Sequence, residues 1–322
     1  MEPLVSIIVP VYNAAQYLEK TLVNLLKQTY QNREILVIDD SSTDNSYDIC
    51  KRFERFGIKV FRQPNQGAAA ARNFGLKYSK GEYIQFMDAD DLLTDNKIEM
   101  QVSSLENCDN KVSVCNFVQF ESEPDFSCSP DISNQRNFIF SSDDPADFLV
   151  NLWGGYGIDG FIQTNCWLTP KRLIDNVCGW RNYRCPDDDG EFFTRVLLQS
   201  KGIVHTKGCM VYYRMTKHGN QLSGSKEKHL VKNALLTIDL KYKYLSAYRN
   251  DKHFKIAMAK QYLYYAVYNY PQNLLLSKIA ERRYKMMKSP VESPPIGGKI
   301  FNFFAYVFGW KVARRLRYLL KK

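Results

Sequence analysis

A series of short apolar, β-branched runs separated by helix-like segments is what most restricts the folds open to this chain. Val5-Ser6-Ile7-Ile8-Val9-Pro10 is nearly all apolar, as a parallel strand covered on both faces must be, and Pro10 stops it. Leu18, Leu22, Leu25 and Leu26 then fall on one face of a helix expected between Ala14 and Gln28, and Glu34-Ile35-Leu36-Val37-Ile38 is a second buried strand. Asp39-Asp40-Ser41-Ser42-Thr43-Asp44 supplies capping side chains for a helix that carries Ile49, Phe53 and Phe56 and is closed by Gly57. Lys59-Val60-Phe61-Arg62 reads as a short strand, the alanines from Ala68 to Ala71 as a close-packing helix, and Tyr83-Ile84-Gln85-Phe86-Met87 as the next strand. This alternation predicts an open, mostly parallel α/β sheet, Rossmann-like, with right-handed crossovers and flanking helices.

Ligands of such sheets bind beyond the carboxyl ends of the strands. Two acidic clusters belong there, Asp39-Asp40 and Asp88-Ala89-Asp90-Asp91. Like charges a few ångströms apart repel unless neutralised, and a hard divalent cation carrying a phosphate is the economical partner. Taken alone, the second cluster reads equally well as a solvated turn before a helix. Neither Gly-x-Gly-x-x-Gly after a strand nor a Walker loop is present, which removes the main support for dinucleotide and P-loop chemistry.

In order, Val5 to Asn13, Gln28-Thr29-Tyr30, Val37 to Asp44, Asn65-Gln66-Gly67 with Ala71-Arg72-Asn73, and Met87 to Asp91 resemble the family-two inverting glycosyltransferases, which have the GT-A nucleotide-sugar fold. The resemblance is strong to about Leu93, weaker to about Ser223 and absent beyond. It implies that Pro10, Tyr12 and Asn13 lie beside a nucleotide base, that Asp40 accepts a hydrogen bond from it, and that Arg72 supports base or diphosphate. Asp88 is implied to approach ribose and metal, and Asp90 to coordinate Mn2+ or Mg2+, consistent with magnesium's use of one or two carboxylates plus substrate phosphates. Asp91 and Trp180 are the residues expected at the acceptor.

Cys185-Pro186-Asp187-Asp188-Asp189-Gly190-Glu191 opens a further helix, with Asp188 and Glu191 at capping-box spacing. The segment also resembles the family's Glu-Asp element, with Asp188 in the Glu position and Asp189 in that of the base. An inverting transferase needs a carboxylate to take the proton of the attacking hydroxyl, and Asp189, then Asp188, are the catalytic candidates. Tyr213-Arg214 and His218 resemble the family's Tyr-Arg-x-x-x-x-His segment, with three intervening residues here rather than four, so Arg214, Lys217 and His218 can meet phosphate charge and His218 is a further candidate metal ligand. No Gln-x-x-Arg-Trp signature of processive members is present, which favours transfer of single sugars.

These motifs assign residues 1–224 to the transferase domain, 1–115 as its nucleotide-sugar half and 116–224 as its acceptor half, leaving 225–322 as a helical C-terminal region. Within the acceptor half, 121–144 reads as a polar loop or lid and 153–160 as a glycine-rich loop whose aromatics can stack on sugars. Beyond a Pro/Gly linker at 290–298, the run from Ile300 to Trp310 is apolar and aromatic, and Lys311, Arg314, Arg315, Arg317, Lys321 and Lys322 follow it. The pattern suits a helix lying on an anionic membrane, and a packing or homo-oligomer contact is its bland alternative. The net charge of +10 asks for an anionic partner. The eight cysteines form no Cys-x-x-Cys pair and read as buried reduced thiols. With no secretory signal in the sequence, the expected location is cytoplasmic, at the inner face of the cell membrane. The expected partners are a nucleotide-sugar donor, a glycan or lipid-linked acceptor and no nucleic acid. A nucleotidyltransferase and a basic nucleic-acid-binding protein are the competing readings.

Overall fold

A computed structural model describes residues 2–106, 108–121, 124, 130–215 and 227–320. The chain divides into two compact units, one of Met1–Pro145, Phe161–Arg184 and Asp188–Gln221, the other of Ala146–Gly160, Cys185–Asp187 and Leu222–Lys322. The domain border expected at 224/225 lies outside the described residues.

In chain order the first unit begins β1 (Val5–Val11), α1 (Leu18–Leu26), β2 (Arg33–Asp39), α2 (Ser46–Phe53), β3 (Lys59–Arg62), α3 (Ala68–Tyr78), β4 (Tyr83–Phe86), β5 (Leu92–Leu93), α4 (Lys97–Leu105) and β6 (Val112–Phe120). After α5 (Pro145–Leu152), most of which belongs to the second unit, come β7 (Trp167–Pro170), α6 (Lys171–Asn176), α7 (Asp188–Gln199) and β8 (Ile203–Arg214). The strands form one 8-stranded sheet in the order β3-β2-β1-β4-β7-β6-β8-β5. Strands β3, β2, β1 and β4 are parallel, and β6 is parallel to β8. Only β7 and β5 run against their neighbours, so the expected mostly parallel α/β sheet is present in mixed form.

The nearly unbroken apolar run of β1 follows from burial on both faces. Helix α3 lies so close on the sheet that a Cβ on Gly75 would stand 2.4 Å from Ile8 Cγ2 and 2.9 Å from Ile38 Cδ1. Helix α1 starts at Leu18 rather than Ala14 because the chain first makes a turn at Asn13 (φ 50°). That turn is held by the β2 loop, with Ala14 N donating to Ser46 Oγ (2.8 Å) and Ala15 N to Asp44 Oδ2 (3.1 Å). Of the polar loop at 121–144, the part after 130 is packed, since Gln135 accepts from Asn116 Nδ2 (3.0 Å) and donates to Phe117 O (2.6 Å). The described cysteines are all free, with Cys178 exposed, Cys108 half-buried and the others buried; Cys128 lies outside the described residues.

The second unit is helical: α8 (Lys228–Leu245), α9 (Lys252–Asn269), α10 (Leu274–Met286), α11 (Lys299–Phe308) and α12 (Trp310–Leu319). Leu263, Val267, Ile296 and Ala313 form a buried cluster against which Phe301, Phe304 and Trp310 pack. Ile296 makes the Pro/Gly linker a packed strap rather than a loose one, and Arg317 donates to its carbonyl. The glycine-rich loop is stapled to α9, where Tyr156 stacks on His253 at 4.3 Å and Lys260 holds Gly157 O and Asp159. Asp251 caps α9, accepting from His253 N (2.8 Å) and Phe254 N (3.2 Å). Among the described residues no helix is long and apolar enough to cross a membrane.

Candidate active site

The carboxyl ends of β1, β2 and β4 bring together the residues that the sequence singled out. Pro10 is half-buried, Tyr12 and Asn13 are exposed, and Asn13 Oδ1 accepts from Thr43 N (2.8 Å), joining the β1 and β2 loops. Asp40 is buried beside them. Its Oδ1 takes Gln63 Nε2 (2.8 Å) and Gln66 N (2.9 Å), and its Oδ2 takes Gly67 N (2.8 Å). These three donors tie the loop after β3 to the end of β2.

Arg72 joins the two halves of the site. Its guanidinium is buried, donates to Asp88 Oδ1 (2.9 Å), stands 3.8 Å from Asp188 Oδ2 and lies 4.5 Å over the Trp180 ring. Burial disfavours that charge, but Asp88 and Asp188 outweigh it and raise the Arg72 pKa. Asp188 and Asp189 begin α7, where Asp188 Oδ1 accepts from Asp189 N (3.0 Å) and Asp189 Oδ1 from Gly190 N (2.9 Å). Thr164 Oγ1 ties Asp189 Oδ2 from the other side at 3.3 Å. Glu191 does not complete a capping box; it is buried in a two-pronged pair with Arg195 (2.8 and 2.9 Å).

Asp88, Asp90 and Asp91 have separate surroundings. Asp91 is 0% exposed, and its oxygens accept from Arg214 N (2.7 Å) and Asn165 Nδ2 (2.6 Å). Burial, then Asp90 and Asp88, push its carboxyl well above the usual range. Asp90 is raised to about 6, first by burial and then by the charge of Asp88, with Arg214 pulling the other way. The Tyr213 phenol is pushed up to about 12 by burial and then by Asp91, Asp88, Asp90 and Asp189, so all four carboxylates act on one point. Among the described residues no three His, Cys, Asp or Glu side chains are grouped to hold a metal unaided. Two hard, mutually repelling carboxylates instead fit a cation that brings phosphate oxygens as further ligands.

The Glycosyl transferase family 2 model matches residues 6–164. Glycosyltransferase GlyG of Streptococcus pneumoniae is 42% identical over 229 residues, which cover 66% of this chain and 72% of GlyG. The chain belongs to glycosyltransferase family 2. This transferase is also 32% identical to UDP-Glc:alpha-D-GlcNAc-diphosphoundecaprenol beta-1,3-glucosyltransferase WfaP of Escherichia coli, over 74% of the chain and 88% of WfaP. In fold it resembles the crystal structure of S. aureus TarS 1-349 in complex with UDP-GlcNAc, with TM-score 0.69, 16% identity, and coverage of 97% of this chain and 90% of that one.

Two acceptor residues expected from the transferase's sequence are placed elsewhere. Trp180 is 3% exposed, its ring stacked on Phe192 at 4.0 Å with Arg72 over it, so it supports the guanidinium and presents no face to an acceptor. Asp91 is equally enclosed and ties β8 to the acidic turn. Arg214, expected at phosphate, is buried between Tyr17 (4.3 Å) and Phe120 (4.4 Å) and donates from Nε to Asp90 O (2.8 Å). Lys217 and His218 lie outside the described residues. The sequence reading passed over Gln163-Thr164-Asn165, a run of consecutive polar residues that are all buried. Asn165 Oδ1 accepts from Asp88 N (3.0 Å) while its amide holds Asp91, and Gln163 Nε2 reaches Asp88 Oδ2 at 3.5 Å. Consecutive polar side chains just before the apolar Trp167-Leu168 were the available signal.

Proposed function

We propose that this protein transfers one sugar, with inversion, from a nucleoside-diphosphate sugar to a glycan or lipid-linked acceptor in surface polysaccharide synthesis. The observation that carries this reading is the Arg72 bridge, which sets Asp88 at the donor edge and Asp188 at the start of α7 on a single buried guanidinium. Asp189 takes the proton of the attacking hydroxyl as the new bond forms on the face opposite the diphosphate, which leaves with the electron pair of the broken bond. Asp188 stands beside Arg72 and orients the start of the helix. Pro10, Tyr12 and Asn13 line the base, and the loop gathered by Asp40 closes that side.

Asp90 and Asp88 would hold Mn2+ or Mg2+, with His218 a further candidate. When bound, the cation supplies positive charge to the departing diphosphate. WfaP's diphosphoundecaprenol-linked acceptor and the UDP-GlcNAc bound to TarS make UDP-sugars and a lipid diphosphate acceptor the first substrates to try. A lipid-linked acceptor is in keeping with a cytoplasmic enzyme peripheral to the inner face of the cell membrane, with α11 and α12 turned to anionic lipid. UDP-, GDP- and dTDP-sugars incubated with Mn2+ or Mg2+ and polyprenyl-diphosphate-sugar acceptors test the reading. Release of nucleoside diphosphate, and a product whose anomeric configuration by NMR is opposite to the donor's, are expected. Retained configuration would overturn inversion, and transfer of nucleotide with pyrophosphate release would overturn sugar transfer.

A further inference from the structure

Lys97, the first residue of α4, is 0% exposed and has no part in the chemistry above. It lies among Cys115, Cys166 and Cys209, and its ammonium donates to Gln85 Oε1. Burial alone would raise the Cys115 thiol, but hydrogen bonds from Cys166 and Cys209 and the charge of Lys97 hold it well below the usual thiol range.

The partner Gln85 is what links this cluster to the acidic turn. An ammonium can only donate, so it fixes Gln85 with its oxygen toward Lys97 and its NH2 on the far side. That NH2 donates to Asn165 O (2.9 Å) and Phe86 O (2.6 Å). One turn further along α4, Gln101 Nε2 donates to Cys166 O (2.9 Å), so neighbouring carbonyls of one segment are gripped by two glutamines. Asn165 in turn accepts from Asp88 N (3.0 Å) and donates to Asp91 Oδ2 (2.6 Å). An uninterrupted line of hydrogen bonds thus runs from Lys97 through Gln85 and Asn165 to the backbone of Asp88 and the carboxylate of Asp91.

We propose that Lys97 is a positioning residue: by fixing the Gln85 amide it sets Asn165, and through Asn165 the geometry of the Asp88-to-Asp91 turn on which donor and cation bind. Without the ammonium, Gln85 Oε1 loses its donor in a buried site, which favours a shift of the amide off the Asn165 carbonyl. The role in donor binding rests on the proposed transferase reading, but the setting of the turn does not. Groups that orient metal-binding side chains commonly change affinity or activity by about 10–100-fold when lost.

Three variants separate positioning from plain stability. Lys97→Met removes the donor. Gln85→Glu keeps an oxygen acceptor for Lys97 but deletes the NH2 that holds Asn165. Lys97→Met with Gln85→Leu removes both polar partners together, which commonly costs far less than orphaning one. Melting temperature, titration of Mn2+–UDP, kcat and KM, and amide hydrogen exchange of the Asp88-to-Asp91 turn are measured on each.

The expected result is faster exchange at the Asp88 amide in every folded variant, together with a roughly 10–100-fold loss in Mn2+–UDP affinity or kcat. The double variant should remain defective even where its melting temperature returns to that of the wild type. Wild-type exchange and affinity in Gln85→Glu, or in a thermally restored double variant, would overturn the proposal. A wild-type protein that binds no nucleoside diphosphate would overturn the transferase reading, and the exchange measurement would still decide the role of Lys97.

Discussion

Asp188 and Asp189 adjoin in sequence, yet their surroundings suit them to different work. Arg72 stands 3.8 Å from Asp188, whereas Asp189 is held by Thr164 Oγ1 at 3.3 Å and by the amide of Gly190. Asp189 is the proposed base. Asp189→Asn is expected to lower kcat by about 10²–10⁴-fold, the usual weight of general-base catalysis, while UDP binding measured by calorimetry stays near wild type. Unchanged turnover would transfer the role to Asp188. The acids themselves were legible because carboxylates at the ends of apolar runs stand out in a sequence. Lys97, Gln85 and Asn165 were not, since each is an ordinary polar residue whose meaning lies in a partner far along the chain. The burial of Trp180 between Phe192 and Arg72 was likewise out of reach, since only tertiary structure shows both its faces covered.

Among the elements, α3 and α9 show how local sequence becomes stability. The small residues of α3 let it approach the sheet, and Gly75 is where approach is closest. Gly75→Ala would gain helix propensity but force Ile8 or the helix to shift, so a net loss of about 1–3 kcal/mol in urea unfolding is expected, the usual cost of overpacking. Helix α9 depends on its cap. Asp251 is held down to about 2, chiefly by its hydrogen bond with Arg249, with the amides of Phe254 and His253 adding to it. A carboxyl depressed on folding stabilises above its unfolded pKa, and that stabilisation is lost as pH falls through the folded value. Asp251→Ala should therefore cost about 1 kcal/mol at neutral pH. The gap between mutant and wild type should narrow below about pH 4, the unfolded carboxyl's range, and close near pH 2, as read from paired denaturation curves. Element types were legible from periodicity. The late start of α1 was not, because side chains of the β2 loop take over its first expected turn.

For the molecule as a whole, the outer side of α11 is the most unusual surface. Ile300 (70% exposed), Phe303 (61%) and Tyr306 (89%) form one apolar stripe, while Phe301 and Phe304 pack inward. Several of the neighbouring cations are engaged within the second unit, with Lys311 on Glu281 and Arg314 on the carbonyls of Tyr268 and Tyr270. The proposed membrane docking through this stripe should accordingly depend more on apolar contact than the sequence, with its dense basic run, suggested. The wild type is expected to sediment with phosphatidylglycerol vesicles, and a variant carrying Ile300→Ser, Phe303→Ser and Tyr306→Ser to remain in the supernatant with an unchanged melting temperature. Equal sedimentation of the two proteins would remove the membrane role of α11.

The Arg72 bridge also limits how this enzyme can be re-engineered. Grafting the stretch around α7 from another transferase would import a new neighbour for the Arg72 guanidinium of α3. A graft without an acid at position 188 would leave Arg72 with Asp88 as its nearer anion and one prong undercompensated in a buried setting. Residues 72 and 188 are thus coupled through a buried charge, and working chimaeras should be those whose incoming helix begins with a carboxylate in that register.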